Sequence, residues 1–239
     1  MSADTSIETA FEASWPAAEY VSAGGFRVRL GGGGGGKRVG SARTTSPDWS
    51  EADLDEALRI YQAWDQPAIF RVSDGDVRLA SALEARGFHE GSPTLMMTAP
   101  IAALTDQPVP PVTSFALWPP LAIQRDLWTE RGIGAARQAI MARVCLPKAA
   151  ILGRVRDRAA GVAFVAVSEG VAALHALEVL PAMRRLGVAN WILREAGFWA
   201  AAQGAETMLL AVTADNAGAI ACYDRIGFTR TGGYSYFQR

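Results

Sequence analysis

Two Gly-Phe pairs, Gly87-Phe88 and Gly227-Phe228, lie 140 positions apart (residue 227 against residue 87), and that offset aligns far more than the pairs. Val72 falls on Val212, each closing an apolar run over 68–72 and 208–212. The amphipathic pattern at 51–62 falls on 191–202, and the pattern at 77–86 falls on 217–226. A register shared without a gap over about fifty residues marks a duplication, so the chain is expected to fold as two similar units. Prolines at 100, 108, 110, 111, 119 and 120 read as a connecting stretch. The expected division is 1–104, a linker at 105–111, and 112–239.

The second copy carries a feature that the first lacks. A buried strand is predicted at 172–181, then a tight turn, Arg184-Arg185-Leu186-Gly187-Val188-Ala189-Asn190, then an amphipathic helix to about 203. The first N–H groups of a helix have no internal partner and sit at the positive end of its dipole, so they attract an anion. Gly187 and Ala189 lack bulk, and Arg184 and Arg185 add cationic side chains. Arg184, Gly187 and Ala189 project onto Thr44, Pro47 and Trp49, which cannot form such a turn. The first copy is therefore expected to be a degenerate support for the second.

Taken together, Arg184-x-x-Gly187-x-Ala189, the Val179-x-Pro181 before it, Asn216, Tyr223 and Gly227-Phe228 resemble the GNAT superfamily of acetyl-CoA-dependent N-acyltransferases, over the second half of the chain. The resemblance implies an α/β (α+β) chain of two tandem acyl-CoA N-acyltransferase-like domains, each a mixed, mostly antiparallel sheet flanked by helices. Further predicted elements are strands at 112–118, 207–212 and 228–237, a hairpin of 149–156 with 161–168, and helices over 121–143 broken near Gly132 and Gly134.

The resemblance also implies roles. Acetyl-CoA is the co-substrate, and transfer goes directly to a primary amine of a small molecule or peptide in a ternary complex. The alternative is a non-catalytic acyl-CoA-binding or regulatory module. Leu177, Glu178 and Val179 would run along the pantetheine, with the Leu177 N–H on the thioester oxygen. Residues 184–190 would hold the diphosphate, and Asn216 and Ala219 would flank the coenzyme. Asn216 bonds the pantetheine amide, caps the helix that follows, or does both. Tyr223 matches the family's general acid, against the plain reading of a packed aromatic.

For the base, His175 sits in a run similar to that of arylalkylamine N-acetyltransferase, and a core histidine is the equal reading. Strict alternation puts His175 on the face of Leu177 and Val179, with Glu178 opposite. Glu178 becomes the better base only if a bulge turns it. Cys222 reads as packing, His89 as a loop residue, and Tyr234 and Tyr236 as one face of the last strand.

Gly31–Gly36 with Lys37 imitates a phosphate loop, but Arg38 stands where Ser or Thr is needed. The expectation is a glycine hairpin loop between strands at 26–30 and 38–44. A net charge of −1 over 239 residues gives no electrostatic footprint for nucleic acid or a membrane surface. Residues 1–12 have no apolar core of a secretory leader, and no apolar run suits a membrane span. Two cysteines point away from a disulfide framework and toward the cytoplasm. No cluster has metal-ligand spacing.

Overall fold

The computed structural model describes residues 3–239. Residues 1 and 2, part of the segment expected to carry no leader, lie outside the described residues. The chain opens with α1 (Ala3–Ala13), β1 (Glu19–Ala23), β2 (Phe26–Leu30), α2 (Lys37–Gly40) and β3 (Arg43–Thr44). Next come α3 (Glu51–Ala63), β4 (Ile69–Ser73), α4 (Val77–Glu84), β5 (His89–Pro100) and α5 (Ile101–Leu104). The second half forms β6 (Ser114–Leu117), α6 (Ala122–Glu130), α7 (Ala135–Arg143), β7 (Lys148–Val155), β8 (Arg158–Ser168) and β9 (Val171–Val179). A short 3-10 turn, Pro181–Met183, leads to α8 (Val188–Ala202), β10 (Thr207–Thr213), α9 (Ala217–Ile226) and β11 (Thr229–Gln238). Among the described residues, no helix is long and apolar enough to cross a membrane.

The chain divides into two compact units at places other than 104/105 and 111/112. The larger holds the chain up to Trp15, Met97–Val212 and Asn216–Thr231, and the smaller holds Pro16–Met96, Thr213–Asp215 and Gly232–Arg239. Residues 105–111, expected as a linker, lie inside the larger unit. Packing explains why: Leu104 is fully buried and meets α8 at Gly197, where a Cβ would lie 2.6 Å from Leu104 Cβ. Beyond it, the Arg194 guanidinium pairs with Asp106 and holds that carboxyl below the usual range.

In the larger unit the strand order is β10-β9-β8-β7-β6. β9 and β10 run parallel, joined through α8, and the other neighbours are antiparallel. The β7–β8 hairpin turns on Arg156 (φ 51°) and Asp157 (φ 59°), the left-handed pair a two-residue connection needs. Two glycines let α8 sit close to the sheet. A Cβ on Gly153 would lie 2.6 Å from Ile192 Cδ1, and one on Gly161 would lie 3.0 Å from it. α1 packs on β8 and β9.

The smaller unit has its own core, in which Phe26, Trp49, Leu54, Tyr61, Phe70, Leu83 and Phe88 are buried. β1, β2 and β3 form an antiparallel sheet, and β4 pairs with β11, Phe70 opposite Phe237. The expected strand at 38–44 is corrected here: 37–40 form a helical turn and only Arg43–Thr44 pair with β2. Val39 is fully buried and the Arg29 guanidinium donates to the Arg38 carbonyl, so the segment turns inward rather than extending.

The duplication is visible in backbone detail. Asp76 caps α4 with φ −79° and ψ 66°, and Asn216 caps α9 with φ −83° and ψ 63°. At the other ends, Phe88 N–H reaches Leu83 and Phe228 N–H reaches Tyr223, at 3.0 and 3.1 Å. Both glycines between are left-handed.

Candidate active site

The parallel pair separates where a ligand would enter. β9–β10 pairing stops at Leu174–Leu210, while β9 runs on to Val179 and β10 to Thr213. On its other side β9 carries a bulge. Phe164 of β8 faces His175 and Val162 faces Glu178, so β9 spends three steps where β8 spends two. Ala176 takes up the extra residue with φ 52°. Its carbonyl accepts from the Trp128 indole of α6 at 2.9 Å.

That bulge corrects the expected faces. Phe164 and Val162 share one face, so their partners His175 and Glu178 share it as well. Val179 pairs with Gly161 and belongs to the opposite face. Leu177 lies in the bulge without a register partner on β8. Glu178 is thus turned as the bulged reading required.

His175 lies deep. It is 5% exposed, its Nε2 is 2.8 Å from Ser14 Oγ, and the rings of Phe11, Trp15 and Phe164 surround it. Because α1 seals this position, the geometry matches the core-histidine reading. Glu178 remains part-exposed and meets Arg131 at 3.5 Å, Nε to Oε2. Arg131 caps the C-terminus of α6, and the left-handed Gly132 follows it. The predicted helix break at Gly132 placed Arg131 in the last turn, but nothing in the sequence signalled its meeting with Glu178.

Tyr223 lies in α9 and is 8% exposed. Burial raises its phenol well above the ordinary value, and the negative charges of Cys222 and Glu178 add to the effect. Burial likewise pushes the Cys222 thiol up, which suits packing rather than nucleophilic work. Asn216 is engaged as a cap, its Oδ1 accepting from Ala219 N–H at 3.2 Å. Ala219 is accordingly the residue whose amide that cap satisfies.

The head of α8 is open. Gly187 is its N-cap with φ 79° and has no side chain to cap it, leaving the N–H groups of Val188, Ala189 and Asn190 without a side-chain acceptor. Arg184, Arg185, Leu186 and Gly187 are exposed, and Arg184 Nε donates to the Val179 carbonyl at 3.4 Å. These residues fit a diphosphate: uncapped amides, two cations and no carboxylate.

The corresponding head in the first copy is closed. Ser50 Oγ accepts from Asp53 N–H at 3.2 Å and Asp53 accepts from Ser50 N–H at 2.9 Å, a reciprocal capping box. The Ser50 and Gly25 backbone amides hold the Asp53 carboxyl below its usual range. A cavity of about 480 Å³ lies beside it, lined by the projected Thr44, Pro47 and Trp49 with Asp76 and Arg78. The Arg78 guanidinium stacks on Trp49 at 4.3 Å and donates to the Pro47 and Trp49 carbonyls.

Tyr234 and Tyr236 are buried in the smaller unit, their rings 5.3 Å apart, with Arg71 over Tyr234. Among the described residues, no group of three or more His, Cys, Asp or Glu could hold a metal ion.

No curated protein matches the chain. Among solved structures, a GCN5-related N-acetyltransferase from Kribbella flavida is 20% identical with a TM-score of 0.74, covering 100% of this chain and 96% of that one. A functionally unknown conserved protein from Staphylococcus epidermidis is 10% identical with a TM-score of 0.68, over 95% and 94%. A tandem GNAT protein from the clavulanic acid biosynthesis pathway is 15% identical with a TM-score of 0.61, over 90% and 78%. At these identities the likeness is one of fold. The model of the acetyltransferase (GNAT) family matches 127–228, the stretch holding Trp128, Arg131, the bulged strand, the open helix head and Tyr223.

Proposed function

We propose that the chain is an N-acetyltransferase that moves the acetyl group of acetyl-CoA to a primary amine by direct attack in a ternary complex. One observation carries this reading. The uncapped head of α8, the bulge-turned Glu178 and the buried phenol of Tyr223 belong to one unit, and the charge of Glu178 reaches the Tyr223 phenol. The thioester, when bound, supplies an activated acetyl group.

Glu178 takes a proton from the amine nitrogen as that nitrogen bonds to the acetyl carbon, when its own acidity rises sharply. The Leu177 amide, freed from the ladder by the bulge, donates to the carbonyl oxygen as charge builds there. Tyr223 gives the departing sulfur a hydrogen bond. Because burial makes that phenol a weaker acid than usual, a lasting phenolate is disfavoured. The proton that ends on the thiol is matched by the one lost from nitrogen. The C–S bond breaks, an N-acetyl amide forms and free CoA leaves.

The closed head of α3 supports reading the first copy as degenerate toward the coenzyme, since Asp53 already occupies the anion's place. The free cysteines Cys145 and Cys222 favour a reducing compartment such as the cytoplasm.

The deciding experiment pairs calorimetric titration with acetyl-CoA and a thiol-release assay over a panel of primary amines. Binding with turnover of an amine supports the reading. Binding without turnover on any amine makes the chain an acyl-CoA-binding module, and no binding removes the site altogether.

A further inference from the structure

We infer that the acceptor is an α-amino acid, with Arg131 binding its carboxylate beside the amine held by Glu178; this rests on the reading of Glu178 and Tyr223 given above. Arg131 Nε and Glu178 Oε2 are 3.5 Å apart, and the two side chains are 27% and 29% exposed. That is loose, because charge-assisted N–H···O bonds close to about 2.7–2.9 Å. Arg131 Nε is also buried without a hydrogen-bond partner. A guanidinium offers a planar fork suited to a carboxylate, and here part of that fork is unused.

The surroundings hold Arg131 in place. Gln138 Nε2 donates to the carbonyls of Arg125 and Ile133 and to Thr129 Oγ1 at 2.9–3.1 Å, tying α7 to the end of α6. The Trp128 indole ties the same helix to Ala176. Arg131 therefore projects from a fixed corner, while its guanidinium has solvent on one side.

An α-amino acid matches this pair in reverse. Its ammonium goes to Glu178 and its carboxylate to Arg131, so one ion pair becomes two and no charge is left alone. A simple amine fits worse. Its cation competes with Arg131 for Glu178 and leaves a largely buried guanidinium without a counter-ion, a costly arrangement. The same feature that favours the acid thus rejects the plain amine.

The test compares each amino acid with its decarboxylated amine: phenylalanine with phenethylamine, histidine with histamine, alanine with ethylamine, glycine with methylamine. In at least one pair the amino acid should show kcat/KM at least ~10-fold higher, in line with a charge-assisted contact. R131Q should bring that ratio close to one, mainly through KM, and R131K should restore part of it. Preference for the amine in every pair, or an unchanged ratio in R131Q, overturns the inference. If no compound is acetylated, the catalytic reading fails, and calorimetry on the CoA-saturated protein decides this one. Binding of the amino acids that R131Q abolishes sustains it, and no binding to the wild type ends it.

Discussion

The indole N–H of Trp128 donates to the carbonyl of Ala176 at 2.9 Å, joining the end of α6 to the bulge in β9. Each group satisfies the other's need. Trp128 is fully buried and its N–H requires an acceptor there. The bulge takes Ala176 out of the ladder, so its carbonyl requires a donor. One helical turn beyond Trp128 stands Arg131, and two residues beyond Ala176 stands Glu178, where the ion pair forms. A single hydrogen bond thereby sets the register between the helix end and the strand that carries the proposed base.

Trp128→Phe keeps most of the ring and removes that bond. The part-buried Ala176 carbonyl loses its donor, so stability should fall by about 1 kcal/mol. The bulge should also relax, and turnover should drop at least ~10-fold, in the range expected when a proton-transfer group loses its position. Affinity for acetyl-CoA should hardly change, because the head of α8 is built by Gly187 and Gly161 rather than by α6. Denaturant unfolding and calorimetry measure the two halves; an enzyme with wild-type kcat would show that the bulge needs no such tie.

Much of this site could be read from residues, and the part that could not has a physical cause. The open head of α8 was legible because Gly187 and Ala189 advertise a turn with no bulk. Asn216 and Tyr223 kept a fixed spacing to Gly227, so the helix between them was legible too. Ala176 carries no such mark: an alanine with φ 52° looks like any strand alanine, and only a neighbour such as Trp128 makes that conformation tolerable. From that one hidden residue came the wrong faces for His175 and Glu178. α1 was invisible in the same way, since its reason to be helical is the sheet surface around His175 that it covers. The helical turn at 37–40 followed from burial of Val39, a contact distant in sequence.

The two base candidates separate by substitution. Glu178→Gln should lower kcat/KM by ~10²–10⁴-fold, the range for a positioned general base, with a smaller effect on stability from the counter-ion that Arg131 loses. His175→Ala should do the reverse. Emptying a site lined by Phe11, Trp15 and Phe164 should cost about 2–4 kcal/mol, and any loss of rate should be flat across pH. A pH-dependent loss confined to His175→Ala would return the base to that residue.

Tyr223 makes a prediction about pH. Its burial raises the phenol above the ordinary value, so it stays protonated past pH ~10, where a free tyrosine ionises. No alkaline fall in kcat below that pH should come from it. Tyr223→Phe should cut kcat by ~10²-fold at every pH tested, leaving the shape of the profile intact. The stability linkage runs the same way: the benefit of burying the neutral phenol is full below pH ~10 and is lost as pH rises above it. The variant should consequently unfold less readily than expected in strong alkali. An alkaline limb near pH 9 that vanishes in Tyr223→Phe would contradict the assignment.

The two helix heads suggest a substitution whose effects should have opposite signs. In the first copy Asp53 stands three residues after the N-cap Ser50 and closes the head of α3. The equivalent position in α8, three residues after Gly187, is Asn190. Asn190→Asp places a carboxylate at the positive end of α8, where it should stabilise the fold by about 0.3–1 kcal/mol. The same charge stands where a diphosphate would bind, so acetyl-CoA affinity should fall at least ~10-fold, as expected when like charges meet at a helix end. Raised salt should shrink both effects together, since both are electrostatic and solvent-exposed. A thermal melt and a titration of one sample suffice. Stability and affinity rising together would mean that the coenzyme's phosphates lie elsewhere, and the open head of α8 would then need another explanation.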